Sequence, residues 1–245
     1  ICGCAPLIDP DIPDILLFDI GGGSTEICWL KAGKPAVPGS PAELSLYAWL
    51  SVPIGVITLS ERHGGPCQAA DGAAGYRAMT AEMAAAVAGF AARHAVGAAV
   101  AGAAVQMLGT SGTVTTLAGV HKDLLRYDRA AVDGSYLEMA TVRALSARIA
   151  RMNHAERAAH PCIGPERADL VVAGCAILEA LCDLWPAERL RVADRGLREG
   201  MLYAMIHGVS APGGRWSPEA EGAGEGSLAE AAGEDGLAAG GLAAG

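Results

Sequence analysis

The chain has 245 residues, 51% hydrophobic but only 4% aromatic, and a formal net charge of −9. That length can bury one large core or two small ones, and so few aromatics make the core aliphatic and alanine-rich. The composition excludes a membrane-spanning helix, because no apolar run reaches about 18 residues, and offers no stripe of Lys, Arg and aromatics for nucleic acid.

The seven cysteines form no C-x-x-C pair. Cys28, Cys175 and Cys182 fall within apolar patterns, where cysteine acts as a small core residue. Cys2 and Cys4 lack the second pair a zinc site needs. With no signal-peptide pattern at the N-terminus, the expected compartment is reducing and cytoplasmic.

In chain order, residues 1–14 read as a loop leading into the first strand. Residues 15–30 follow as strand, turn and strand: Leu16-Leu17-Phe18-Asp19-Ile20 runs into Gly21-Gly22-Gly23-Ser24, and Thr25-Glu26-Ile27 resumes the strand pattern. Lys31 to Pro35 is punctuated as a turn or loop, and Leu44 to Pro53 as a third strand of the same meander. A short helix over 55–62 stops at His63-Gly64-Gly65-Pro66. Tyr76, Met79, Met83, Val87 and Phe90 form one stripe of a helix over about 74–95.

Val105–Leu108 is a short strand entering Gly109-Thr110-Ser111-Gly112-Thr113, with a helix after it bearing Val114, Leu117 and Val120. Val142, Leu145, Ile149 and Met152 mark another helix, and a longer one covers about 166–184. Leu190–Val192 is a buried strand that Asp194-Arg195-Gly196 turns into a helix carrying Leu197, Met201, Leu202, Met205 and Ile206. From 210 onward Gly, Ala and Glu dominate, so 210–245 is expected to be a disordered acidic tail. Six of the 27 acidic residues and none of the 18 basic ones follow Arg215, which leaves the preceding chain near −3. Strands in a meander followed by alternating strands and helices give an α/β domain.

Two glycine turns carry chemistry. Glycines uncover peptide N–H groups that can hold a phosphate, and a strand-end aspartate such as Asp19 can meet the metal that accompanies it. Gly21–Ser24 lacks the spacing of a dinucleotide fingerprint and the Gly-Lys-Ser/Thr of a P-loop. A tight hairpin needs one or two glycines, so three plus Ser24 and Asp19 favour phosphate binding over a plain turn. Ser111 and Gly112 begin a helix whose N-terminus can receive an anion, against the alternative that the hydroxyl only caps it. At Asp194–Gly200, Arg198 and Glu199 read as solvated, with an arginine at a phosphate cleft as the sharper alternative. His154, His160 and Cys162 flank a Pro-containing loop without a supporting ligand cluster.

Asp19-Ile20-Gly21-Gly22-Gly23-Ser24-Thr25-Glu26 resembles the second phosphate motif of the exopolyphosphatase and guanosine pentaphosphate phosphatase family (Ppx/GppA). Ser51–Gly55 with Leu59–Arg62, Gly109–Thr116, Glu166–Asp169 and Arg195–Gly200 support the resemblance, in family order, across about 16–205. It implies an actin-like ATPase (RNase H-like) domain, a mixed sheet flanked by helices, and hydrolysis of terminal phosphate from inorganic polyphosphate or guanosine pentaphosphate. It further implies Asp19 and Glu26 as catalytic acids, Asp19 on Mg2+ or a similar divalent cation, and phosphate on Gly21, Gly22, Gly23, Ser24, Ser111 and Gly112. A homodimer is compatible with it; nucleic acid and membrane are not expected partners.

The family's N-terminal domain, with its first phosphate loop and the glutamate that activates water, has no counterpart in residues 1–14. Val56-Ile57-Thr58 stand where many members place an arginine. The expectation is therefore a second actin-like domain, N-terminally incomplete and inactive alone. The alternatives are a non-catalytic polyphosphate- or nucleotide-binding remnant and a sugar- or acetate-kinase-like phosphotransferase using ATP.

Overall fold

The computed structural model describes residues 1–33, 43–64, 72–94 and 105–207. Six strands form one mixed sheet: β1 (Asp14–Ile20), β2 (Thr25–Gly33), β3 (Glu43–Val52), β4 (Val105–Thr110), β5 (Tyr136–Glu138) and β6 (Arg189–Ala193). Their order is β3-β2-β1-β4-β6-β5. β1, β4 and β6 run parallel, while β2, β3 and β5 are antiparallel to their neighbours. The helices are α1 (Val56–Arg62), α2 (Gly72–His94), α3 (Gly112–His121), α4 (Arg129–Val132), α5 (Met139–Arg151), α6 (His154–Ala159), α7 (Val171–Leu184) and α8 (Leu197–His207).

The period of two in β1 assigns its side chains to two cores. Leu16, Phe18 and Ile20 join the larger one, with Met79, Met83 and Val87 of α2, Leu117 of α3 and Ile177 and Leu181 of α7. Ile15 and Leu17 join a smaller one on the other face, with Cys4, Leu7, Ile8, Leu30, Leu108 and Ala193. Both faces of β1 are thus covered, which is why its sequence reads as a continuous apolar run.

The smaller core corrects the reading of residues 1–14 as a loop. Cys2–Leu7 is a 3-10 helix with Gly3, Cys4, Ala5 and Leu7 buried. Gln106 on β4 fixes it: the carboxamide oxygen accepts from Asp9 N at 2.9 Å and the amide nitrogen donates to Leu7 O at 3.1 Å. Burial pushes the Cys4 thiol up to about 11, so the group is a packing element rather than a nucleophile.

Two further readings change. β2 continues to Gly33, because Lys31 closes an ion pair with Asp14 and lies 5.6 Å from the Trp29 ring; Lys34 and Pro35 lie outside the described residues. The helix placed at 166 starts at Val171. Arg157, itself buried, donates from Nε to the Ala168 carbonyl at 2.7 Å, which takes that oxygen out of a helical ladder. The segment 166–170 is instead a series of turns. On α8, Met201, Leu202, Met205 and Ile206 are all exposed. The expected acidic tail lies outside the described residues. Among those described, no helix is long and apolar enough to cross a membrane.

Candidate phosphate site

The β1–β2 hairpin sets Asp19 opposite Glu26 and Ile20 opposite Thr25, leaving Gly21–Ser24 as the connection. Gly21 N donates to Ser24 O at 2.9 Å. The carbonyls of the turn face α1: Val56 N donates to Gly21 O at 2.9 Å and Ile57 N to Gly22 O at 2.8 Å. The first turn of α1 therefore satisfies its own free donors on the glycine backbone. Among the described residues, the N–H groups of Gly22, Gly23 and Ser24 have no acceptor.

The second turn lies beside the first because β4 pairs with β1, bringing Thr110 opposite Asp19. Ser111 is the N-cap of α3, and its Oγ accepts from Val114 N at 3.2 Å. Its hydroxyl caps, as the plainer reading had it. With Gly21 and Gly22, Gly112 lines a cavity of about 170 Å³ that Ile20, Val56, Thr113, Thr116, Arg167, Leu170 and Val171 complete. The N–H groups of Gly112 and Thr113 have no acceptor among the described residues, so the positive end of α3 faces this space.

Arg167 is the residue that sequence reasoning passed over. Its guanidinium donates to Thr116 Oγ1 at 3.0 Å and lies 3.9 Å from where a Cβ on Gly112 would stand. It is exposed and charged at the mouth of the cavity. The Glu166–Asp169 motif held the signal, but a reading of that stretch as helix hid the turn that presents the arginine.

Asp19 and Glu26 occupy the sheet face of the smaller core, beside the turn rather than inside the cavity. Ser24 Oγ donates to Glu26 Oε1 at 2.6 Å and Ser51 Oγ to the same oxygen at 3.2 Å. Asp19 has no side-chain partner among the described residues; burial first, and then the Glu26 charge, raise its carboxyl above the usual range.

The Asp194–Gly200 stretch is engaged elsewhere, which corrects the solvated reading of Glu199. Gly196 N donates to Glu199 Oε2 at 2.8 Å and Arg129 to Glu199 Oε1 at 2.9 Å, and these bonds push the Glu199 carboxyl down to about 2. Arg195 Nε donates to Asp133 Oδ2 at 2.8 Å, so it does not serve the cavity. His154 pairs with Asp169 at 3.0 Å, while His160 Nδ1 accepts from Cys162 N at 3.3 Å. Among the described residues no three metal-binding side chains of the His, Cys, Asp or Glu type converge.

The family model for Ppx/GppA phosphatases matches residues 10–208. The chain belongs to the Ppx/GppA phosphatase family. Solved structures agree at the level of fold. The Ppx/GppA phosphatase of Aquifex aeolicus is 22% identical with a TM-score of 0.62, over 83% of this chain and 60% of that one. An exopolyphosphatase from Cytophaga hutchinsonii is 23% identical with a TM-score of 0.61, over 85% of this chain and 64% of its own. An exopolyphosphatase-like protein is 24% identical at 0.62, covering 82% and 62%. This Ppx/GppA chain therefore has the actin-like ATPase fold and spans about three fifths of the length of these relatives. Among curated proteins no sequence matches it.

Proposed function

We propose that this Ppx/GppA domain forms one wall of a cleft that hydrolyses a terminal phosphoanhydride, with inorganic polyphosphate or guanosine pentaphosphate as substrate. The observation that carries the reading is the convergence of two free-donor turns, Gly21–Ser24 and Gly112–Thr113, with the Arg167 guanidinium beside the second. Backbone donors, a helix dipole and a forked cation are what a phosphate chain requires, and phosphoryl transfer asks little more of a protein than positioning and charge neutralisation.

The donor set also fits a divalent cation. Asp19 and Glu26 are hard oxygen ligands side by side, and neither is ion-paired to a lysine or arginine among the described residues. Mg2+ takes one or two carboxylates and leaves its other positions to water and phosphate. Asp19 would hold the ion or one of its waters, with Glu26 as the second acid, fixed by Ser24 and Ser51. Bound there, the cation would offset the charge of the transferring group.

The chain's own residues then divide the work. Gly22, Gly23 and Ser24 bind the phosphate chain, α1 holds the Gly21 and Gly22 carbonyls against its own first turn, and Arg167 orients the phosphate chain from the opposite side. None of these residues is assigned the activation of water, so this chain alone is expected to bind its substrate with little turnover. A purely binding role is the second reading, and one experiment separates the two.

Calorimetric titration with Mg2+ and tripolyphosphate should show binding that Arg167→Ala weakens about tenfold, the loss of one charge-assisted contact. No binding by the native chain would overturn the proposal. Phosphate release on joining the chain to the part of a relative that it does not span favours the hydrolase. Binding without release favours the binding role.

A further inference from the structure

We propose that the indole of Trp49 is a stacking platform for the base of a nucleoside 5′-polyphosphate whose phosphates lie on the Gly22–Ser24 turn. This rests on the phosphate site proposed above and adds to it a preference for nucleotide over bare polyphosphate.

Trp49 pairs with Cys28, and two positions further along β3 Ser51 pairs with Glu26. In a strand, alternate residues share a face. The indole therefore stands on the same face as Ser51, Glu26 and Asp19, in line with the glycine turn. Ser51 and Ser24 both donate to Glu26 Oε1, so side chains connect Ser51 at one end of this line to the turn at the other.

The ring is 58% exposed, whereas Trp29 is 4% and Trp185 0% exposed. Scattered apolar residues on a surface are ordinary, but an indole beside a phosphate-binding turn offers a flat π-face at a useful distance. Four strand steps separate Cys28, opposite the ring, from Ser24, which is about 13 Å along the strand. A ribose and a short phosphate chain can cover that distance.

The sequence of environments along the line suits the ligand. The apolar ring meets the base, the neutral sugar crosses Ser51, and the anion reaches the free N–H groups. Ser51 can accept from a sugar hydroxyl while it donates to Glu26. Bare polyphosphate has nothing to place on the ring. Stacking of a base on an aromatic side chain is tolerant of base identity, so the ring would select nucleotides as a class.

The test is calorimetric titration of the full chain with guanosine 5′-triphosphate and, separately, with tripolyphosphate, each with Mg2+. The native chain should bind the nucleotide more tightly. Trp49→Ala should weaken nucleotide binding about tenfold and abolish the preference, while Trp49→Phe should keep most of it. Equal binding of the two probes, or a preference that survives in Trp49→Ala, overturns the inference and leaves the phosphate site standing. Failure of the native chain to bind either probe removes both.

Discussion

Gly55 rests directly on Gly22: a Cβ at residue 55 would stand 2.4 Å from both the carbonyl carbon and the oxygen of Gly22. This contact admits only glycine, because the atoms it would strike are backbone. It is also what lets the N-terminus of α1 reach the carbonyls of the turn. Gly55→Ala should lower the melting temperature and, in the same variant, weaken tripolyphosphate binding. A variant that loses stability while retaining full affinity would uncouple the turn from α1.

The raised carboxyl of Asp19 makes a prediction with a definite sign. Its folded value lies above the unfolded one, so its contribution to stability is present at low pH and is lost as pH rises through the folded value. Without a divalent cation, ionised Asp19 therefore works against folding at neutral pH relative to a neutral side chain. Asp19→Asn should raise the melting temperature there, and added Mg2+ should stabilise the native chain but not the variant. Equal stabilisation of both by Mg2+ would move the cation elsewhere.

The contact between α3 and α7 is as close as that at Gly55. A Cβ on Gly174 would meet Thr113 Oγ1 at 2.2 Å. Gly174→Ala should cost about 1–3 kcal/mol in urea unfolding, the usual range for overpacking. Because Thr113 lines the cavity, its displacement should also appear as weaker tripolyphosphate binding.

Glu199 reports on the start of α8. Its depressed carboxyl contributes stability above the unfolded value of about 4.5, and this is lost as pH falls toward about 2. Glu199→Gln should lower stability at pH 7, because the amide still accepts from Gly196 N but loses the charge that pairs with Arg129. The difference between native and variant chains in acid titration should shrink between those two values.

Much of this was legible in the sequence wherever a local rule decided the outcome. The period of the Tyr76–Phe90 stripe and the glycine turn between two apolar strands each specify their own structure, and all five stripe residues are buried. The failures had tertiary causes. The 3-10 helix forms because Gln106, 99 positions from Leu7, satisfies backbone groups of the N-terminal segment. The start of α7 is set by Arg157 acting on Ala168. The capping box of α6 was readable: Asn153 and Glu156 stand three apart and each side chain bonds the other's N–H. Arg167 was hidden for a different reason: its place at the cavity depends on a turn that the apolar pattern of α7 obscured.

The pairing of β1 implies that the two halves of the proposed phosphate cradle form at different times as the chain folds. Phe18 meets Ile27, nine positions on, through the hairpin, and Gly109, 91 positions on, through the parallel pairing. A hairpin closes within about 1–10 μs, whereas a distant parallel pairing must first overcome the entropy of a long loop. The glycine turn can thus exist early as a donor-rich loop with no opposite wall. A polyphosphate ligand of the proposed site would find it complete only after β4 has docked, and would slow unfolding without hastening the search.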